Sequence, residues 1–211
     1  MAALVVGLGL AAYWLIGFSS LLAVRQVQVD GVSLVSADDV RAAAAVPAGQ
    51  PLARVDEEAV AARVTAALPA VAAVKITRHW PSTLVITVTE RVAVYQVSAA
   101  GAYNWVSADG VVFHTSADAQ PVPSAIVALG DQTLLRDVAT VVAALPAELA
   151  GHVLWLAAPT RDSISLQLDG DRQVVWGSAE QSDLKAQVIV ALLNVPGHVY
   201  DVSAPAHPAV R

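Results

Sequence analysis

From Met1 to Val24 the chain carries no charged side chain, and Arg25 is the first charge. As a helix, a run of that length would be about 36 Å long at about 1.5 Å per residue, enough for a hydrocarbon core of about 30 Å. Residues 1–24 are therefore expected to form a transmembrane helix. A signal peptide would carry a basic n-region and a shorter apolar stretch, and a buried core helix rarely stays uncharged for so long.

After Arg25 the pattern shortens. Val24, Val27 and Val29 alternate with polar residues as a strand, broken at Asp30-Gly31. Ser36-Ala37-Asp38-Asp39 is a capping box with Asp in the place of Glu, opening a short helix that stops before Pro47 and Gly49. Asp56-Glu57-Glu58 places acids in the first turn of a second helix, where they suit the dipole. Val60, Val64, Ala67 and Leu68 recur on its face, and Pro69 closes it. Val74 and Ile76 alternate up to His79, Trp80-Pro81-Ser82 turns the chain, and Leu84, Ile86 and Val88 alternate up to Glu90-Arg91. This hairpin should bury one face. The order β-α-α-β-β, with two helices on one face of three strands, is a compact α+β module.

The remainder reads as β-rich. Strands are expected over 92–97, 103–106, 111–113, 125–129, 152–157, 163–168, 172–176 and 198–203, with Asp109-Gly110 and Asp169-Gly170 as hairpin turns. Two helices interrupt them. One runs from Leu134 to Leu145 before Pro146. The other runs from Glu180 to Leu193, closed by Asn194, Pro196 and Gly197.

Charge and composition narrow the function. The 211-residue chain has a net charge of -6 and only two lysines, Lys75 and Lys185, so it lacks the basic surface that nucleic acid requires. It has no cysteine, which removes disulfides and thiolate metal sites. Its five histidines, at 79, 114, 152, 198 and 207, fall in no metal-ligand spacing, and no phosphate loop, dinucleotide loop or nucleophile elbow occurs. The paired acids Asp38-Asp39 and Asp56-Glu57-Glu58 are explained by helix capping, and Asp169 with Asp171 flanks a turn. No catalytic residue, no metal and no cofactor are expected.

Several of these residues form a string that resembles the POTRA domain of the FtsQ/DivIB cell-division family. They are Val27-x-Val29-x-Gly31, Leu68-Pro69-x-Val71, Val74-x-Ile76-x-Arg78-x-Trp80-Pro81 and the strand through Val85 and Ile86 to Glu90-Arg91. The part after residue 92 is similar, more loosely, to the family's C-terminal β domain. The matching pieces are Trp105 with Gly110 and Phe113, Leu166-x-Leu168-x-Gly170, Val174-x-x-Gly177, Lys185, and Tyr200-Asp201-Val202. The resemblance implies an α+β chain: a transmembrane helix over 1–24, a βααββ POTRA domain over 25–91, a mostly antiparallel β domain with flanking helices over 92–203, and a tail over 204–211. It also implies a single-pass plasma-membrane protein with residues 25–211 outside the cytoplasm, acting as a scaffold of the division complex at the septum.

The expected partners are division proteins of the FtsB and FtsL type, which are single-pass coiled-coil proteins. The expected contacts are the C-terminal strand, through Val199, Tyr200, Asp201, Val202 and Ser203, and the POTRA face at Arg78 and Trp80. The strand is expected at the sheet edge, where backbone groups could accept a partner strand. Plain readings stand beside these: Trp80-Pro81 as a hairpin turn with a packed indole, Tyr200 as a core residue under the tail, and, in the same motif string, Glu90-Arg91 as a solvated strand end or a local ion pair. Another envelope assembly or chaperone-like POTRA protein is the alternative function, and an envelope enzyme is a third.

Overall fold

The computed structural model describes residues 22–211 together with Val5 and Gly7. The segment expected to span the membrane therefore lies almost wholly outside the described residues. Among the described residues no helix is long and apolar enough to cross a membrane. The chain divides into two compact units, which meet in sequence at Arg91 and Val92.

The first unit contains β1 (Gln26–Asp30), α1 (Ala37–Ala44), a 3-10 turn (Leu52–Arg54), α2 (Glu57–Ala67), β2 (Val71–His79) and β3 (Thr83–Glu90). Both helix starts are set locally. The Ser36 hydroxyl accepts the Asp39 N–H at 3.0 Å and donates to the Asp39 carboxylate at 2.6 Å, while Asp56 accepts the N–H of Ala59 at 3.0 Å. The strand order is β1-β3-β2, with β1 parallel and β2 antiparallel to β3. Val40, Ala44, Val60 and Val64 from the helices pack on Leu84, Ile86, Val88 and Ile76 from the strands. Gly31 ends β1 with φ +81°, and a Cβ there would collide with the carbonyl oxygen of Val88. Ala23 and Val24, expected at the end of the membrane segment, are instead buried in this unit.

The second unit is a nine-stranded sheet in the order β12-β11-β10-β9-β8-β7-β4-β5-β6. Its elements are β4 (Tyr95–Ala99), β5 (Ala102–Val106), β6 (Val112–Ser116), β7 (Ser124–Val127), α3 (Gln132–Ala144), α4 (Ala147–Ala150), β8 (Val153–Ala158), β9 (Ile164–Leu168), β10 (Arg172–Gly177), α5 (Ser182–Leu192), β11 (Val199–Asp201) and β12 (Ala209–Val210). The sheet is more mixed than expected, because β4 with β7, β7 with β8 and β10 with β11 all pair in parallel. The physical reason is the crossovers: β5 and β6 carry the chain from β4 to β7, and helices serve the other two pairs. A parallel neighbour needs a long crossover, and α3 with α4 supplies one between β7 and β8, as α5 does between β10 and β11.

The core of this unit gathers Tyr95, Leu156, Leu166, Val174, Trp176 and Tyr200 from the sheet with Leu135, Val138 and Ile189 from the helices. Three of its large side chains have their polar atoms answered, whereas the buried indole N–H of Trp105 on β5 has no hydrogen-bond partner among the described residues. The Tyr95 hydroxyl donates to the Leu135 carbonyl at 2.9 Å, and burial raises its pKa. The Trp176 indole N–H donates to Ser182 at 3.1 Å. Lys185 on α5 is 1% exposed, and its ammonium donates to the Ser178 carbonyl at 2.8 Å. Burial pulls the Lys185 pKa down against an opposing pull from Glu180.

Candidate partner-binding edges

At the C-terminal end of the sheet the structure corrects the expectation. The strand that carries Val199, Tyr200, Asp201, Val202 and Ser203 is not an edge. On one side β11 pairs in parallel with β10, and the N–H of Val202 donates to the Val175 carbonyl at 2.9 Å. On the other side residues 204–211 turn back, and β12 pairs antiparallel through Tyr200↔Val210 and Asp201↔Ala209. Val199 and Arg211 exchange two hydrogen bonds of 2.9 Å. The tail therefore folds as the outermost strand.

The five expected residues divide accordingly. Tyr200 and Val202 are core residues, 2% and 0% exposed, and the Tyr200 hydroxyl donates to the carbonyls of Val195 and Gly197, both at 3.0 Å. Asp201 accepts the N–H of Ser203 at 3.0 Å and its hydroxyl at 2.7 Å, which shapes the turn into the tail. Val199 serves the β12 ladder. The alternation of an antiparallel pair aims the N–H and C=O of Val210 outward, because the flanking Arg211 and Ala209 bond inward. Pro208 precedes the strand and offers no donor there. Sequence alone missed this edge, since two residues carry no periodicity.

In the first unit the hairpin of β2 and β3 holds the other expected contacts. The Arg78 guanidinium donates to the Leu52 carbonyl at 3.0 Å and the Val55 carbonyl at 2.7 Å, and pairs with Glu57 at 2.8 Å. It fastens β2 to the 3-10 turn and to the start of α2. Trp80 is 52% exposed, so the packed indole of the plain reading is corrected. A turn residue beside Pro81 has no neighbouring strand to cover it.

Glu90 is not a solvated strand end. Its Oε1 accepts the N–H groups of Ser33, Leu34 and Val35 at 2.8, 2.9 and 3.0 Å, and Oε2 accepts Leu34 at 3.0 Å. Partial burial raises its pKa, but the three backbone donors outweigh that and leave it lowered. Arg91 donates to the Pro69 carbonyl at 2.9 Å. The Glu-Arg pair thus locks the β1–α1 loop and the start of β2 to the end of β3.

The paired acids singled out in the sequence make local ion pairs. Asp38 pairs with Arg41 at 2.6 Å, and Asp169 bridges His152 at 2.6 Å and Arg172 at 2.8 Å. Among the described residues no group of three His, Asp or Glu converges on one point. A cleft of about 470 Å³ beside α3 and α5 is lined by Ala139, Thr140, Ala143 and Ser182, with Asp183 its one charged lining residue.

Two family models match the chain. The FtsQ-type POTRA domain covers residues 22–91, and the C-terminal domain of cell division protein FtsQ/DivIB covers residues 93–202. The chain belongs to the FtsQ/DivIB family of cell-division proteins. It is 39% identical to the cell division protein FtsQ of Streptomyces bingchenggensis over 215 residues, covering 96% of this chain and 81% of that one. It is 39% identical to that of Streptomyces griseus over 204 residues, covering 91% and 98%. With that of Mycobacteroides abscessus it shares 37% over 213 residues, covering 100% and 67%. The major extracytoplasmic domain of DivIB from Geobacillus stearothermophilus aligns with 56% of this chain and 98% of that one, at a TM-score of 0.40 and 15% identity. The family is a non-enzymatic scaffold of the divisome, and its members act at the division septum with other division proteins.

Proposed function

We propose that this family member is anchored in the plasma membrane by its uncharged N-terminal run, with residues 25–211 outside the cytoplasm, and that it links division proteins of the FtsB and FtsL type at the septum. The observation that carries the docking site is the position of β12, which ends the nine-stranded sheet with the N–H and C=O of Val210 turned outward. A partner segment adds there as a further strand. The edge offers few backbone groups, so side-chain contacts from Ala209 and the Asp201–Arg211 pair, 3.7 Å apart, supply the rest. On the POTRA unit, recruitment uses the free edge of β2, whose geometry Arg78 maintains.

Val210→Pro tests this docking site. It removes the outward N–H while leaving every β11–β12 hydrogen bond intact. A folded Val210→Pro chain should lose capture of the coiled-coil partners from membranes, whereas Val210→Ile should retain it. Undiminished capture by Val210→Pro would place the docking site elsewhere.

A further inference from the structure

The uncharged run is not followed by a spacer. Ala23 and Val24 are 4% and 3% exposed, packed in the first unit. The N–H of Val24 donates to the Gln50 carbonyl at 2.8 Å, and its carbonyl accepts the N–H of Gly49 at 3.1 Å. The folded unit thus begins where the apolar run stops.

The β2–β3 turn lies at that same end. β1 and β3 are parallel from Gln26↔Thr83 onward, and the Ser82 carbonyl accepts the N–H groups of Arg25 and Gln26 at 2.9 and 3.3 Å. Trp80 precedes Ser82 by two residues, which places it within about 7 Å of that junction along the chain. Its indole is 52% exposed, against 37% for Trp155 and 0% for Trp176. A half-exposed indole is poorly placed in water, because an aromatic ring is a large apolar body with one polar tip. Such rings concentrate at membrane–water interfaces. The interfacial layer on each side of a bilayer is about 5–8 Å deep, from an overall thickness of about 40–45 Å and a core of about 30 Å. The reach of the turn matches that depth.

We propose that Trp80 seats the first unit on the lipid headgroup layer, giving the chain a second contact with the bilayer beside its N-terminal run. This rests on the reading of that run as a membrane anchor. The contact fixes which end of the POTRA sheet faces the membrane and turns the opposite end of the hairpin outward. Ala73 lies six residues from His79 along β2, about 20 Å at about 3.3 Å per residue.

The chain has no cysteine, so single thiols report position cleanly. His79→Cys or Ala73→Cys, labelled with a nitrobenzoxadiazole dye, is placed in the full chain. The chain is reconstituted into vesicles of phosphatidylcholine and phosphatidylglycerol that contain a headgroup spin-labelled lipid. Flotation is measured first, then quenching. The label at 79 should be quenched several-fold more than the label at 73. Adding Trp80→Ala should remove most of that excess, and Trp80→Tyr should retain it. If Trp80→Ala fails to fold by circular dichroism, Trp80→Gln takes its place. Equal quenching at both positions, or quenching at 79 indifferent to the loss of the indole, in a chain that floats, overturns the contact and leaves the anchor standing. A chain that does not float overturns the anchor, and the contact with it.

Discussion

Glu90→Ala should release the β1–α1 loop without unfolding the β hairpin. One carboxylate satisfies three consecutive N–H groups, those of Ser33, Leu34 and Val35. Hydrogen bonds to a charged acceptor contribute about 1.5–3 kcal/mol each when the freed donor stays dry. Here water reaches the vacated donors, so the loss is closer to about 2 kcal/mol in total than to the sum of three bonds. About 2 kcal/mol corresponds to about a 30-fold change in an equilibrium constant. Amide hydrogen exchange at residues 33–35 of the variant should therefore speed up by about that factor, while the amides of β2 and β3 keep their protection.

Glu90→Gln is informative for a different reason. It keeps one oxygen but turns an NH₂ toward the Leu34 N–H that Oε2 now accepts. It should fall between the other two proteins. The pH dependence has a fixed sign, because the folded pKa of Glu90 lies below its ordinary 4.5. Its contribution is present above that value and is lost as pH falls through the folded pKa. Protection at 33–35, corrected for intrinsic exchange, should decline in that acid window in the wild type and stay flat in Glu90→Gln. Unchanged exchange at these three amides in Glu90→Ala would refute the clamp.

Two further outcomes follow from polar contacts, one partly buried and one buried. Arg78→Ala removes the guanidinium from the carbonyls of Leu52, which keeps the Val55 N–H, and Val55, and should cost about 2–3 kcal/mol in urea denaturation, with Arg78→Lys recovering only part, because a single ammonium does not reproduce the fork; unaltered stability would show that Arg78 is not the fastener described. Lys185→Met should leave stability within about 1 kcal/mol of wild type or raise it, since a buried ammonium with one acceptor gains little over an apolar side chain of similar length. The folded pKa of Lys185 is lowered, so the unfolded chain binds the extra proton. Wild-type stability should therefore gain a rising component with pH in the window that ends near 10.5, and Lys185→Met should lack it; an identical pH slope in both proteins would contradict this account.

Much of this protein was determined by its sequence over short distances. Ser36 and Asp56 cap their own helices, Pro69 closes α2, and the alternation of Leu84, Ile86 and Val88 assigns the buried face of β3. Those features depend on neighbours within a turn or two, which is why periodicity and capping residues reveal them. The family string was legible for the same reason. What pairs with what was decided only in the tertiary structure. The strand at Val199–Asp201 has the pattern of an edge, but two residues of the tail cover it, and a two-residue strand is held by its partner rather than by any propensity of its own. Arg78 looked free beside Trp80 until the fold brought the carbonyls of Leu52 and Val55, 26 and 23 residues away, within reach of its guanidinium. Glu90 finds its three donors 55 to 57 residues upstream. Backbone donors and acceptors look alike in every residue, so no local pattern announces which of them a distant side chain will satisfy.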